Sequence, residues 1–309
     1  MKERLFVSTG YYSTLLAAAL VMQSESGYRN HLLVTLDRQS REENTRWAYR
    51  MYPNWASVNV ISHEEYYVDG IHFKPDVEEF YEVVTPFFEM LALIKDTFKS
   101  RHYNLYEEGL TSYSQFLKKG CEYKGIFYCL HPHLLNNVKN LLSVPIPASA
   151  VKFLLEKASQ CYLCPSLRGN KNIIFIGHGG FPNENDNNLI AQEIHAMMSR
   201  MSFLGYKILM TKHTRIDSSV TFAENLYNDK SLNLEFIDVN IPLTDILLLK
   251  NIEKISFIFG VCSTLLINSE LLHNIKAYSI DSALMGDRQN DLIKIQNSFV
   301  KNISEIAFP

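Results

Sequence analysis

Glu107 and Glu108 stand side by side, directly before Gly109 and directly after a β-rich run at 103–106. A glycine at that point frees the turn, so one of the acids can be carried into a crevice. Partial burial beside a second negative charge raises a carboxyl's pKa, which suits it to take a proton from a sugar hydroxyl. The plainer alternative is a solvated acidic pair at the start of a helix near Thr111. A second cluster, Lys212-His213-Thr214-Arg215, follows the β-rich run 206–210. Three potential cations within four residues can hold a phosphate, and a protonated histidine can stabilise charge on a departing one. Scattered charge on a surface loop gives the same string.

Cys262-Ser263-Thr264 opens a helical pattern after the run 255–259 and Gly260. Hydroxyls and free N–H groups at a helix start can bind an anion, and serine is also favoured there simply as a cap. Gly177-His178-Gly179-Gly180 follows the apolar run 173–176 and permits close approach of the backbone to a ligand. It is neither a dinucleotide fingerprint nor a P-loop. Thr9-Gly10-Tyr11-Tyr12-Ser13 occupies the matching place after the first run, 5–8, with tyrosines able to pack on a sugar or on the core.

Other chemistry is missing. No D-x-D pair occurs, so the usual metal-chelating dyad of sugar-nucleotide enzymes is absent, and no G-x-S-x-G elbow suggests a hydrolase. His131-Pro132-His133 lacks a third ligand at convincing spacing, and Cys161 and Cys164 have no second pair at zinc spacing. Five cysteines fit a reducing compartment. A net charge of -3 without a basic run argues against a nucleic-acid partner. The best N-terminal apolar stretch, 15–22, is far short of the roughly 20 residues that span a bilayer. The expectation is a cytoplasmic protein, with peripheral membrane contact and a homodimer both compatible with the sequence.

These loops need strands and helices to hold them. At 309 residues a chain usually divides into two domains. Strand patterns at 5–8, 31–35, 57–61, 103–106 and 125–129 alternate with helical ones at 14–23, 42–52, 77–98 and 112–119, as a parallel sheet covered on both faces requires. Val144-Pro145-Ile146-Pro147 then breaks the pattern, placing a linker within 143–171. A second alternation follows, with strands at 173–176, 206–210, 234–237, 255–259 and 276–280 and helices near 244–250 and 264–272. Ile190, Ile194, Met197, Met198 and Met201 form a buried helical stripe in it. The tail at 291–306 is helical in pattern and is expected to pack back on the first domain. The fold class is α/β, with two Rossmann-like parallel-sheet domains, 1–155 and 156–309, facing a cleft. Ligands then bind at the strand C-termini.

With those residues and elements in view, the chain resembles bacterial sialyltransferases, especially glycosyltransferase family 52 and the capsular polysialyltransferases. Those families carry an acidic–acidic–glycine motif, then a His-Pro motif, then a Ser-Ser or Ser-Thr motif. Asn104-Leu105-Tyr106-Glu107-Glu108-Gly109-Leu110-Thr111-Ser112-Tyr113 is similar to the first, Lys212-His213-Thr214 to the second and Ser263-Thr264 to the third. Thr214 stands where the family has proline. The resemblance implies a GT-B fold and a cofactor-free, metal-independent, inverting transfer from a CMP-sugar, CMP-sialic acid above all, to a glycan acceptor. Glu107 is then the general base, with Glu108 as its neighbour and fallback. His213 attends the leaving phosphate, Ser263 and Thr264 hydrogen-bond it, and Lys212, Arg215, Gly177 and Gly179 complete the donor side. Gly10, Tyr11, Tyr12 and Ser13 line the acceptor side.

Overall fold

In a computed structural model, residues 1–24, 27–36, 40–62, 65, 77–86, 88–117, 123–176, 184–211, 229–237, 241–280, 292 and 294–305 are described. The chain divides into two compact units, Met1–Ala158 and Ser159–Pro309.

The first unit runs β1 (Lys2–Ser8), α1 (Tyr11–Gln23), β2 (Tyr28–Leu36), α2 (Arg41–Met51), β3 (Ser57–Ser62), β4 (Phe80–Thr85), α3 (Leu91–Thr97), β5 (Ser100–Tyr106), α4 (Leu110–Leu117), β6 (Gly125–Cys129), β7 (Leu141–Pro145) and α5 (Ala148–Ser159). Its seven strands are all parallel, in the order β3-β2-β1-β4-β5-β6-β7. The order reverses between β1 and β4, so the loops leaving β1 and its neighbours surround a topological switch point. Leu5, Val7, Leu33 and Val83 pack with Ile94 and Phe98 in one core cluster. Helix α1 is apolar nearly all round, with Ser13 to Val21 buried, which suits a helix enclosed by its neighbours.

The second unit runs β8 (Asn172–Ile176), α6 (Glu184–Phe203), β9 (Lys207–Thr211), β10 (Leu234–Ile237), α7 (Thr244–Lys250), β11 (Ile255–Gly260), α8 (Thr264–His273), β12 (Ala277–Ser279) and β13 (Lys301–Asn302). Its sheet, also parallel, has the order β10-β9-β8-β11-β12-β13. Alternate residues of β8 serve opposite faces. Ile173 and Phe175 pack with Ile194, Met198 and Met201 of α6, whereas Ile174 and Ile176 pack with Leu247, Leu248 and Leu266. The methionine stripe is therefore core, and each such side chain contributes about 1.5–3 kcal/mol of burial.

Three expectations need correction. The helical pattern expected at 77–98 is strand β4 followed by the short α3. A strand buried on both faces reads as a near-continuous apolar run, and Glu82 interrupts that run in the sequence. Glu82 is itself buried and pairs with Arg4 of β1 at 2.8 Å. Asn104 donates to its other oxygen at 2.6 Å. The stretch before Pro147 contains a strand, β7, at the sheet edge, where a terminal proline costs no ladder bond. The tail is not one continuous helix: residues 294–297 are helical, and Lys301–Asn302 then extends the second sheet beside β12. Ile295, Val300 and Ile303 are buried there. Among the described residues no helix is long and apolar enough to cross a membrane.

Candidate active site

The turn leaving β1 is tied together by hydroxyls. Ser8 Oγ lies 2.9 Å from Ser13 Oγ and 2.7 Å from Thr14 Oγ1, and Thr9 N–H donates to Ser13 Oγ at 2.9 Å. Gly10 sits at φ 142° and ψ -156°, a conformation essentially reserved for glycine, and from it α1 begins. The Tyr11 carbonyl accepts the Trp47 indole N–H at 2.9 Å, and the two rings meet edge to face. Tyr12 therefore projects from a helix start fixed on both sides.

The acidic pair follows β5 without a gap. Tyr106 is fully buried, and its hydroxyl donates to the Val7 carbonyl at 2.6 Å, tying β5 to β1 across the end of β4. Glu107 N–H still bonds the Tyr128 carbonyl at 2.9 Å, so Glu107 continues the strand's geometry and its side chain turns inward. Gly109, at φ 149°, then turns the chain into α4.

Glu107 has no exposed surface. Its Oε2 accepts from the Tyr113 hydroxyl and from Leu130 N–H at 2.6 Å, and its Oε1 accepts from the Tyr12 hydroxyl at 3.3 Å. Burial pushes its carboxyl up to about 7, against the pull of these three hydrogen bonds. Glu108 is half-buried and accepts from the Thr9 hydroxyl, while its own N–H donates to Ser112 Oγ at 3.0 Å. One turn, Thr9 to Ser13, thus reaches both acids.

In the second unit, Ser263 caps α8 by accepting the Leu265 N–H at 3.2 Å. Ser263 N–H is taken by Gln296 Oε1 at 2.9 Å, and Gln296 Nε2 donates to the Val261 carbonyl at 3.0 Å. Capping uses a lone pair of the serine oxygen and leaves its hydrogen available, so a cap and an anion contact coexist on one hydroxyl. Ser263 and Thr264 are both partly exposed. Gly177, Gly179, Lys212, His213 and Arg215 lie outside the described residues; the strands before them end at Ile176 and Thr211.

The structure therefore gathers Tyr12, Ser13, Glu107 and Glu108, and keeps Ser263 and Thr264 together at one helix start. Sequence reasoning missed Thr9, Tyr113 and Leu130 as partners of the acids, and Gln296 as the clamp on the β11–α8 turn. Tyr113 had a signal, a tyrosine in the first turn of the helix that follows the acidic pair. Gln296 had none. Among the described residues no three His, Cys, Asp or Glu side chains converge as a bound metal requires.

No protein-family model matches this sequence. No curated protein matches it either. Solved structures do resemble it in fold. The GT-B domain of a Photobacterium damselae sialyltransferase superposes with a TM-score of 0.53 at 11% identity, over 97% of this chain and 98% of that one. The S. aureus MnaA–UDP structure gives 0.57 at 13% identity, over 91% and 80%. UDP-GlcNAc 2-epimerase from Neisseria meningitidis, bound to UDP-GlcNAc, gives 0.51 at 10% identity, over 97% and 87%. The chain has the two-domain GT-B fold. Identities this low carry fold alone.

Proposed function

We propose that this GT-B protein is an inverting glycosyltransferase that needs no metal, and that it moves sialic acid from CMP-sialic acid to a glycan hydroxyl. The observation that carries the reading is Glu107. It is a carboxyl at the end of β5, held by three hydrogen bonds, one of them from the turn after β1, with its pKa lifted to the range where a general base works at neutral pH. In the reaction, the acceptor oxygen attacks the anomeric carbon as its proton passes towards Glu107. The bond from that carbon to the phosphate oxygen breaks, and the electron pair leaves with CMP. Glu108, fixed by Thr9, is the alternative acid.

On the donor side the reading assigns His213, with Lys212 and Arg215 beside it, to the charge that grows on the leaving phosphate. Ser263 and Thr264 hydrogen-bond the same group, and Gly177 and Gly179 let the backbone approach the nucleotide. A leaving group with one phosphate needs less neutralisation than a diphosphate, consistent with a site that lacks a metal-binding dyad. Gly10, Tyr11, Tyr12 and Ser13 belong to the acceptor side. A cytoplasmic location, at or near the inner face of the membrane, belongs to the same reading.

The test is release of nucleotide and change in acceptor mass across a panel of donors that includes CMP-sialic acid, other CMP-activated acid sugars and UDP-GlcNAc. Turnover of a different sugar nucleotide keeps the transferase and replaces the donor. Donor binding with no CMP released for any acceptor marks a non-catalytic carbohydrate- or nucleotide-binding protein instead.

A further inference from the structure

A carboxylate with no exposed surface does not itself touch a hydroxyl arriving from solvent, so a proton reaches Glu107 only through another group. Its two oxygens differ in what they already hold. Oε2 accepts two hydrogen bonds, from Tyr113 and Leu130. Oε1 accepts from Tyr12 alone among its described partners, and a carboxylate oxygen has two acceptor sites. The spare capacity is therefore on the Tyr12 side.

The three donors also differ in chemistry and in exposure. Leu130 offers a backbone N–H, which does not relay a proton. Tyr113 is fully buried, so a hydroxyl from solvent does not reach it. Tyr12 is half-buried, carries a hydroxyl, and stands on a helix start pinned by Gly10 and by the Trp47–Tyr11 contact. A phenol both accepts and donates, so it passes a proton on without ionising.

We infer that Tyr12 is the proton relay of the proposed reaction: its hydroxyl oxygen takes the acceptor's proton while its own proton moves to Glu107 Oε1. The inference rests on reading Glu107 as the base. Tyr12 ends as the neutral phenol it began as, and Glu107 ends as a neutral acid. The acceptor oxygen's electron pair forms the new bond to the sugar's anomeric carbon, and the pair from the broken carbon–oxygen bond leaves on the nucleotide phosphate. The elevated pKa of Glu107 supports the direction of transfer, since a carboxyl near 7 holds a proton that an ordinary glutamate gives up.

The variant is Tyr12→Phe, which removes one oxygen and keeps the ring. Full-length protein is assayed with CMP-N-acetylneuraminic acid and a galactose-ended oligosaccharide, beside Glu107→Gln and Glu108→Gln. Tyr12→Phe should lower kcat about 10²-fold, with CMP affinity and melting temperature close to wild type. Infrared titration of the Glu107 carboxyl, which needs no turnover, should show its midpoint move upward in Tyr12→Phe, because a hydrogen bond that favours the ionised form is gone. An unmoved midpoint overturns the inference. So does wild-type kcat in Tyr12→Phe when Glu107→Gln is inactive; the base assignment then stands and the proton takes another path. Full activity in Glu107→Gln with loss in Glu108→Gln removes the base assignment, and the relay with it.

Discussion

At the scale of single residues, Glu107 sets function against stability. Its carboxyl sits near 7 in the folded protein and near 4.5 when unperturbed, because burial disfavours the charged form. Between those values the folded state keeps a proton that the unfolded state has lost. The associated stability is therefore complete below pH 4.5 and is lost as pH rises through 7, a change of about 3 kcal/mol. Glu107→Gln should flatten this dependence, so urea unfolding at pH 5 and pH 8 should show a large fall for wild type and a small one for the variant. The same substitution should cost about 10²–10⁴-fold in transfer while donor affinity stays within a few-fold, since a base acts on the acceptor. Rate should climb through about pH 7 as Glu107 ionises. The pair's place at the end of β5 was legible, because the two acids and a glycine follow a β-rich run without a gap. Which acid turns inward was not legible. That depends on Glu107 keeping the strand's bond to Tyr128, and on Tyr12, 95 positions away in sequence.

At the scale of elements, one strand missed in the sequence, β4, is the one next to β1 at the switch point. β4 reads as helix because Glu82 breaks its apolar run, yet Glu82 is buried against Arg4 and Asn104. Removing one partner of such a pair strands the other charge, at a cost of about 3–5 kcal/mol. Glu82→Ala should therefore destabilise the first unit by that order, read as a lower denaturant midpoint or faster amide exchange in β1, β4 and β5. Arg4→Met combined with Glu82→Leu should recover most of the loss. In the second unit the strand–turn–helix at Ser263 was legible from glycine, hydroxyl and apolar run together. The Gln296 clamp was not, because nothing in the sequence ties that turn to a glutamine 33 positions further on. Ser263→Ala should cost about 1 kcal/mol of capping and weaken CMP binding. If His213 and Ser263 share the donor phosphate, His213→Ala and Ser263→Ala should be non-additive in a double-mutant cycle read by calorimetric titration with CMP. Additive effects would separate them.

At the scale of the molecule, strand–helix alternation was enough to anticipate two parallel sheets, since every strand buried on both faces demands helices on both sides. Both sheets reverse their order beside the first strand of the unit, and in the first unit the acids gather beside that reversal. The fold alone accommodates epimerases and transferases alike, as its structural neighbours illustrate, so the claim rests on the residues at the strand ends. The most direct test is incubation with CMP-sialic acid and a panel of galactose-ended glycans in excess chelator, followed by mass measurement of the products and quantification of CMP. The account predicts acceptors heavier by whole sialyl residues, matched by CMP release, undiminished by chelator and absent with Glu107→Gln. CMP release from no acceptor, or transfer lost in chelator and restored by magnesium or manganese, would contradict it.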